Sequence, residues 1–316
     1  MKKKVLLTGG SGFLGKVLAE QLKDDFEITL LHRSVNLNLE KKFPVIHCDL
    51  SQSVIPDQMN IGWDLVLHAA GKSGSSLQKE IDNELFYESN VIGTKNLLKS
   101  LDSNPPEQLI YFSSVSVYGI EEGIAVDESS PLRAEDEYGK SKLEAEKIVR
   151  DWAIGKDIHN LILRLPLIVG PNPPGNLGKM IEAIKRNRYV SIGGGKAKKS
   201  MVWIEDIADF IPKLEDKDGI YNLTDQHHPT FRELENIISE KTGNKILSVP
   251  TWLAYFVSIF GSGINTLNLP IKFPLDQNTY KKISKSVTFD DSLAVEELNW
   301  APQKVLRKLK EMKLDW

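Results

Sequence analysis

The sequence predicts an α/β protein: a doubly wound parallel sheet followed by a smaller α/β lobe. Three observations carry that expectation. Short apolar runs of strand length alternate with helical patterns through the first half of the chain. A glycine-rich turn joins the first run to the first helix. The second half changes to Pro- and Gly-rich segments with scattered helices and short strands.

Strands are expected at 5–7, 26–32, 45–48, 65–68, 109–112 and 161–165. These runs are largely apolar and do not alternate strictly, as suits a parallel sheet covered on both faces. Helical patterns fill gaps between them, at 15–23, 85–101 and 138–150. After Leu165 the chain is rich in Pro and Gly to residue 178, and 179–188 reads as a helix. Gly193-Gly194-Gly195 with Lys196, Lys198 and Lys199 forms a basic glycine loop, and Val287-Thr288-Phe289 reads as a strand. The expected division is a dinucleotide-binding domain at 1–165 with about 200–225, and a substrate-binding lobe at about 166–199 with 226–316. A ligand cleft is expected between them, over the carboxyl ends of the strands.

Composition narrows the partners. The 316 residues carry a net charge of -3, which argues against nucleic acid or a bulk attraction to anionic surfaces. The single cysteine, Cys48, rules out an internal disulfide and a cysteine zinc cluster, and fits a reducing, cytoplasmic setting. Met1-Lys2-Lys3-Lys4 looks like the start of a signal peptide, but the apolar run after it stops at Thr8-Gly9-Gly10. Residues 246–271 contain no Lys, Arg, Asp or Glu. Their strongly apolar part is too short to span a bilayer and reads as a core or interface helix, so membrane contact is not expected.

Thr8-Gly9-Gly10-Ser11-Gly12-Phe13-Leu14-Gly15 follows the first strand directly and opens a helix. The spacing of Gly9, Gly12 and Gly15 permits a tight turn, close approach of backbone to a pyrophosphate, and free N–H groups of Phe13 and Leu14 at a helix N-terminus. The fold this implies is a Rossmann-type doubly wound sheet. At the end of the second strand an acidic residue would hold the ribose hydroxyl of NAD, whereas Arg33-Ser34 here suits the 2′-phosphate of NADP. NADP is therefore favoured over NAD. Asp49, followed by Leu50, is placed to accept from the adenine amino group, and Ala69-Ala70-Gly71 lets backbone approach the cofactor.

Tyr138 and Lys142 stand at i and i+4, on one face of a helix. A phenol near pKa 10 is a poor base at neutral pH, and a neighbouring ammonium favours the phenolate. Upstream, Ser113-Ser114-Val115-Ser116 ends a strand in hydroxyls, 24 residues before Tyr138.

With these residues the sequence resembles the extended short-chain dehydrogenase/reductase family, in its NAD(P)-dependent nucleotide-sugar epimerase/dehydratase branch. The matching stretches run from TGGSGFLG at 8–15 through HAAG at 68–71, SNVIGTKNLL at 89–98 and FSSVSVYG at 112–119 to YGKSK at 138–142. They continue through LRLPLIVGP at 163–171 and WIEDIADF at 203–210 to FDDSLAVEELNWAP at 289–302. The resemblance implies that Tyr138 is the acid/base on a sugar oxygen, Ser114 hydrogen-bonds that oxygen, and Lys142 binds the nicotinamide ribose and lowers the tyrosine pKa. It implies that Asn90 supports the active-site backbone and that Pro166 borders the cofactor. It assigns Lys72, Ser116, Asn176, Leu177 and Lys199 to a nucleotide-diphosphate sugar. It also implies a homodimer through the helices holding residues 90–101 and 138–150.

Three departures from the family pattern shape the expected activity. Dehydratases carry an acidic pair after the catalytic Ser or Thr, where this chain has Val115-Ser116, so dehydration is disfavoured. Galactose-type 4-epimerases usually have Asp where Arg33 stands, which tilts towards an NADPH-exchanging reductase. They also carry a substrate-binding Asn where this chain has Leu167, which leaves the sugar open. The expected function is thus 4-keto reduction or 4-epimerisation at C4 of a nucleotide sugar, and the alternative is a non-catalytic NADP-binding regulator. No metal is expected: His227-His228 are adjacent, and neighbouring residues rarely chelate one ion.

Overall fold

The computed structural model describes residues 1–52, 56, 59, 61–73, 84–266, 275 and 277–312. Its first half lays down β1 (Lys4–Thr8), α1 (Phe13–Leu22), β2 (Glu27–His32), α2 (Leu37–Glu40), β3 (Val45–His47) and β4 (Leu65–His68). A π-helical turn (Tyr87–Ile92) then runs into α3 (Gly93–Ser100), followed by β5 (Gln108–Ser114), β6 (Gly123–Val126), α4 (Glu137–Lys156) and β7 (His159–Leu165). Seven parallel strands form the central sheet in the order β11-β7-β5-β4-β1-β2-β3, with β11 at Gly219–Asn222.

The apolar runs make sense residue by residue. Val5, Leu7, Leu65, Leu67, Ile110, Phe112, Leu161 and Leu163 face one core. Leu6, Val66, Leu109, Tyr111 and Ile162, their alternate neighbours, face the other. Because successive side chains point to opposite faces and both faces are covered, most positions are apolar, and buried polar ones such as Thr8, His68 and Arg164 are hydrogen-bonded. The chain adds β2 and β3 on one side of β1 and then crosses to β4 on the other. That reversal opens a crevice at the carboxyl ends of β1 and β4, the usual ligand position in such sheets.

The second half adds β8 (Leu167–Val169), α5 (Gly175–Lys185), β9 (Val190–Ile192), β10 (Met201–Trp203) and α6 (Ile204–Phe210). After β11 come α7 (Phe231–Thr242), β12 (Leu247–Val249), α8 (Thr251–Thr266), α9 (Gln277–Ser284), β13 (Val287–Phe289), α10 (Ser292–Leu298) and α11 (Val305–Glu311). Three parallel two-stranded pairs, β8 with β10, β9 with β12 and β6 with β13, tie distant segments together. A separate core gathers Leu177, Ile181, Trp203, Leu234, Ile237 and Leu309 from four of these elements.

Of the two readings of 246–271, a core or an interface helix, the core one is corrected. Within α8 the buried residues are Ala254, Ser258 and Gly261, while Trp252, Phe256 and Phe260 are 64%, 55% and 73% exposed. The small side chains let the helix backbone seat closely on the protein, and the bulky ones are thereby turned outward. Residues 267–271 lie outside the described ones. Among the described residues no helix is long and apolar enough to cross a membrane.

Candidate active site

The glycine turn is closed by backbone on every side. Gly9 has φ +72°, and a Cβ there would lie 2.7 Å from Ala70 N and 2.8 Å from the Ala69 carbonyl oxygen. A Cβ on Gly15 would lie 2.2 Å from the Gly9 oxygen, and one on Gly12 3.1 Å from it. Helix α1 starts at Phe13 with no side-chain cap from Gly12, so its first N–H groups, including those of Phe13 and Leu14, keep no partner within the helix. A bare cradle with unspent donors fits a pyrophosphate. Gly71, at φ +157°, is held against Asn90, whose Oδ1 would be 2.6 Å from an added Cβ.

The adenine-side residues are distributed differently. Arg33 and Ser34 are exposed just past β2, and Asp49 is half-buried, its Oδ1 accepting from Ser51 N and Oγ at 3.0 and 2.8 Å. The side chains of Leu14, Leu50 and Leu177 lie in the core, so any ligand contact by these three runs through their backbone. Asn176 is exposed at the start of α5, and Pro166 is half-buried after β7.

The catalytic candidates converge at the end of β5. Asp136 caps α4 by accepting from Gly139 N at 2.7 Å, which fixes Tyr138 in the first turn. The Ser114 hydroxyl stands beside the Tyr138 phenol, near enough to pull its pKa down. Ser114 also donates to Ser116 Oγ at 3.1 Å and accepts from Ser116 N at 3.2 Å. One turn on, Lys142 is 6% exposed, and its Nζ donates to the Phe112 carbonyl at 2.6 Å and lies 4.3 Å from the Tyr111 ring centre. Burial lowers its pKa to about 7, against an opposing pull from Glu146. The lowering of Tyr138 by Lys142 is not found in the protein alone. Burial pushes the phenol above its ordinary value of 10, the neighbouring Ser114 hydroxyl pulls it back, and Lys142 is not among the groups that move it. The ammonium is instead committed to the backbone of β5.

Asn90 lies in the π-helical turn, a distortion often found at functional sites. Its Oδ1 accepts from Lys72 N at 2.7 Å, and its Nδ2 donates to Lys72 O at 3.1 Å and Ser141 Oγ at 2.9 Å. It thus pins the segment after β4 to the Tyr138 helix. Phe86, which sequence reasoning passed over, has its ring 5.7 Å from that of Tyr138 and 5.8 Å from Lys72 Nζ.

Two buried networks behind the site were also missed. Thr94 donates to Asn90 O at 2.6 Å, so it accepts from His68 Nε2 at 2.9 Å; His68 Nδ1 then accepts from Thr8 at 2.8 Å. Burial, aided by the charge of Lys142, lowers His68 to about 3, and the ring is a neutral strut between β1, β4 and α3. Behind Ser113, Glu146 accepts two bonds from Arg164 at 3.1 and 2.8 Å, and Arg164 donates to Tyr118 at 3.0 Å. The visible signal was Arg164, a lone charge in an apolar strand.

Lys199 is half-buried beside β13, and burial with the nearby charge of Lys282 lowers it to about 8. His228 Nδ1 pairs with Ser200 Oγ at 2.9 Å, and Trp203 and Trp300 are core residues. Among the described residues no group of three or more His, Cys, Asp or Glu is arranged to hold a metal.

A Rossmann-type sheet, a glycine cradle at its reversal point and a Ser–Tyr–Lys cluster beside it define the class. The chain belongs to the NAD dependent epimerase/dehydratase family, whose model matches residues 5–223. It is 29% identical over 261 residues to the N-acetyl-alpha-D-glucosaminyl-diphospho-ditrans,octacis-undecaprenol 4-epimerase of Escherichia coli O157:H7, covering 79% of this chain and 75% of that one. It is 26% identical to the UDP-glucose 4-epimerase of Vibrio cholerae, covering 98% and 93%. Its fold matches that of a UDP-glucuronic acid 4-epimerase from Bacillus cereus, solved with UDP-glucuronic acid and NAD, at a TM-score of 0.77 and 18% identity over 99% of this chain and 98% of that one.

Proposed function

We propose that this chain is a 4-epimerase of a sugar held through its diphosphate, with nucleotide-diphosphate sugars as its soluble substrates and Ser114, Tyr138 and Lys142 as its catalytic residues. The observation that carries this reading is the convergence of Ser114 and Tyr138 at the end of β5, with Lys142 one turn along α4. Relatives named as 4-epimerases of UDP-glucose and of a diphospho-undecaprenol sugar support C4 as the reacting carbon.

Gly9, Gly12 and Gly15 with the first turn of α1 would hold the pyrophosphate of a nicotinamide dinucleotide, Arg33 and Ser34 its adenosine end, and Lys142 its nicotinamide ribose. Bound there, the dinucleotide supplies a hydride acceptor and donor at sugar C4. Tyr138 takes the O4 proton as C4 is oxidised and returns it when C4 is reduced on the opposite face, so the sugar undergoes no net oxidation. Ser114 donates to O4 and stabilises charge developing there. Lys142, which donates to the Phe112 carbonyl, would also hold the ribose. Its ammonium would then favour the phenolate of Tyr138, which burial otherwise holds too high to serve as a base. Lys199 is assigned to the diphosphate. A non-catalytic role is disfavoured because Ser114, Tyr138 and Lys142 are all present.

The second reading, an NADPH-dependent 4-keto reductase, rests on Arg33 in the place of an acidic residue. Incubation with UDP-glucose, and separately with a UDP-4-keto sugar and NADPH, separates the two. Interconversion of C4 epimers without net cofactor consumption marks an epimerase, whereas a 4-keto sugar reduced with one NADPH consumed marks a reductase. In either case Tyr138→Phe lowers turnover by about 10²–10⁴-fold. Full turnover by that variant would overturn the assignment.

A further inference from the structure

Helix α8 is inverted relative to an ordinary surface helix. Its small residues Ala254, Ser258 and Gly261, at i, i+4 and i+7, face the protein. Its exposed stripe is Trp252, Phe256 and Phe260, flanked by Leu253, Tyr255 and Ile259 at 39%, 45% and 40% exposure. An amphipathic helix normally turns such residues inward, and a contiguous apolar patch of this kind marks a binding surface. The 16 residues of α8 span about 24 Å along the axis, less than the roughly 30 Å of a bilayer core. The helix can lie in an interface and cannot cross it.

Basic side chains gather at the head of this stripe, with buried Glu235 the acidic group beside Gly195 and Arg232. The turn Gly193–Gly195 packs against β12 and α9, and Gly193 abuts the Thr251 side chain at the head of α8. From that turn the chain continues through exposed Lys196 and Lys198; Arg232 lies beside Gly194, and Lys245 precedes β12. Lys281 and Lys285 pair with Glu121 and Glu122 and do not count towards this charge. Lys282, on α9, is exposed and close enough to Lys199 for their charges to interact. Since α9 packs along α8, with the Tyr255 and Tyr280 rings 5.6 Å apart, the diphosphate position at Lys199 is continuous with the apolar helix.

Resting on the 4-epimerase reading, we propose that α8 docks on a bilayer of anionic phospholipid and that the chain's substrate there is a sugar carried on a polyprenyl diphosphate. The sugar sits at Ser114 and Tyr138, the diphosphate at Lys199 and Lys282, and the polyprenyl chain leaves along α8 into the lipid. The aromatic residues of α8 enter the interface, and Lys196, Lys198, Arg232 and Lys245 meet the lipid headgroups.

The test uses the full chain with vesicles of phosphatidylglycerol and phosphatidylcholine, and with vesicles of phosphatidylcholine alone. Wild type is expected to sediment with the anionic vesicles and to be released by salt. The combined Trp252→Ser, Phe256→Ser and Phe260→Ser variant should bind them about tenfold or more weakly, with unchanged thermal stability, because the three side chains are exposed. In vesicles carrying diphospho-undecaprenyl N-acetylglucosamine, turnover by the variant should fall in proportion, while turnover of UDP-N-acetylglucosamine stays at the wild-type level. Epimerisation of UDP-N-acetylglucosamine by a wild-type chain that ignores vesicles overturns the proposal and leaves the 4-epimerase reading intact. Vesicle binding with turnover of neither sugar diphosphate overturns that reading, and with it the lipid-linked substrate. A variant that changes from dimer to monomer yet binds vesicles like wild type makes α8 a face between copies and overturns the docking.

Discussion

Replacing Lys142 by Met should abolish turnover and make the protein more stable, by an amount that shrinks as pH rises. The folded chain holds this lysine near 7 in place of 10.5, mainly through burial. Between those two values the unfolded chain binds more protons than the native one, so wild-type stability rises with pH across that window. The penalty for burying the ammonium is up to about 4 kcal/mol at pH 7 and about 2 kcal/mol at pH 9. Against it stands the 2.6 Å bond to the Phe112 carbonyl, whose loss leaves an acceptor unpaired at a cost of about 1–3 kcal/mol. Lys142→Met should therefore gain roughly 1–3 kcal/mol at pH 7, and that gain should fall by about 2 kcal/mol by pH 9. Thermal melts at the two pH values read this directly, at about 2 °C per kcal/mol. A variant less stable than wild type at pH 7, or a difference unchanged between pH 7 and 9, would refute the idea that a buried charge is tolerated here for function.

Three further outcomes follow from the site. Arg33→Asp should weaken NADPH binding by about tenfold or more and leave NADH binding unchanged or tighter, since the guanidinium pairs only with the 2′-phosphate; equal losses for both cofactors would remove Arg33 from the adenosine end. Gly15→Ala should abolish dinucleotide binding in equilibrium titrations, because its Cβ would lie 2.2 Å from the Gly9 oxygen and must open the cradle; a wild-type affinity would show that the turn is spare. Glu146→Gln leaves Arg164, 2% exposed, without its charge partner, and should cost about 3–5 kcal/mol, a fall of about 6–10 °C in melting temperature; a loss of under a degree would mean the pair is structurally idle.

What was legible in the sequence was what sterics demand. The strands showed as largely apolar runs because both faces of the sheet are covered, and Gly9, Gly12 and Gly15 showed because no side chain fits where backbone closes on backbone. The pairs β6–β13, β8–β10 and β9–β12 did not show: most of these strands are three residues long, and their partners lie far away in the chain. For α8 the apolar character was plain and its direction was not. Periodicity points a helix only when one side is polar, and here the orientation was decided by the small volumes of Ala254, Ser258 and Gly261.

Electrostatics were the least legible part of the site. A Tyr and a Lys at i and i+4 suggest an ammonium that acidifies a phenol, yet the fold sends that ammonium to the Phe112 carbonyl and buries both groups. The Asp136 cap that sets Tyr138 beside Ser114 also drives Lys142 down the same helix face into the core. The charge the chemistry needs is thus the one the apo fold tolerates least. Ribose hydroxyls offered by a dinucleotide would give it partners that the protein alone lacks. On that account, occupancy of the cofactor site raises the pKa of Lys142 at the same time as it lowers that of Tyr138, and binding and activation of the base become one event.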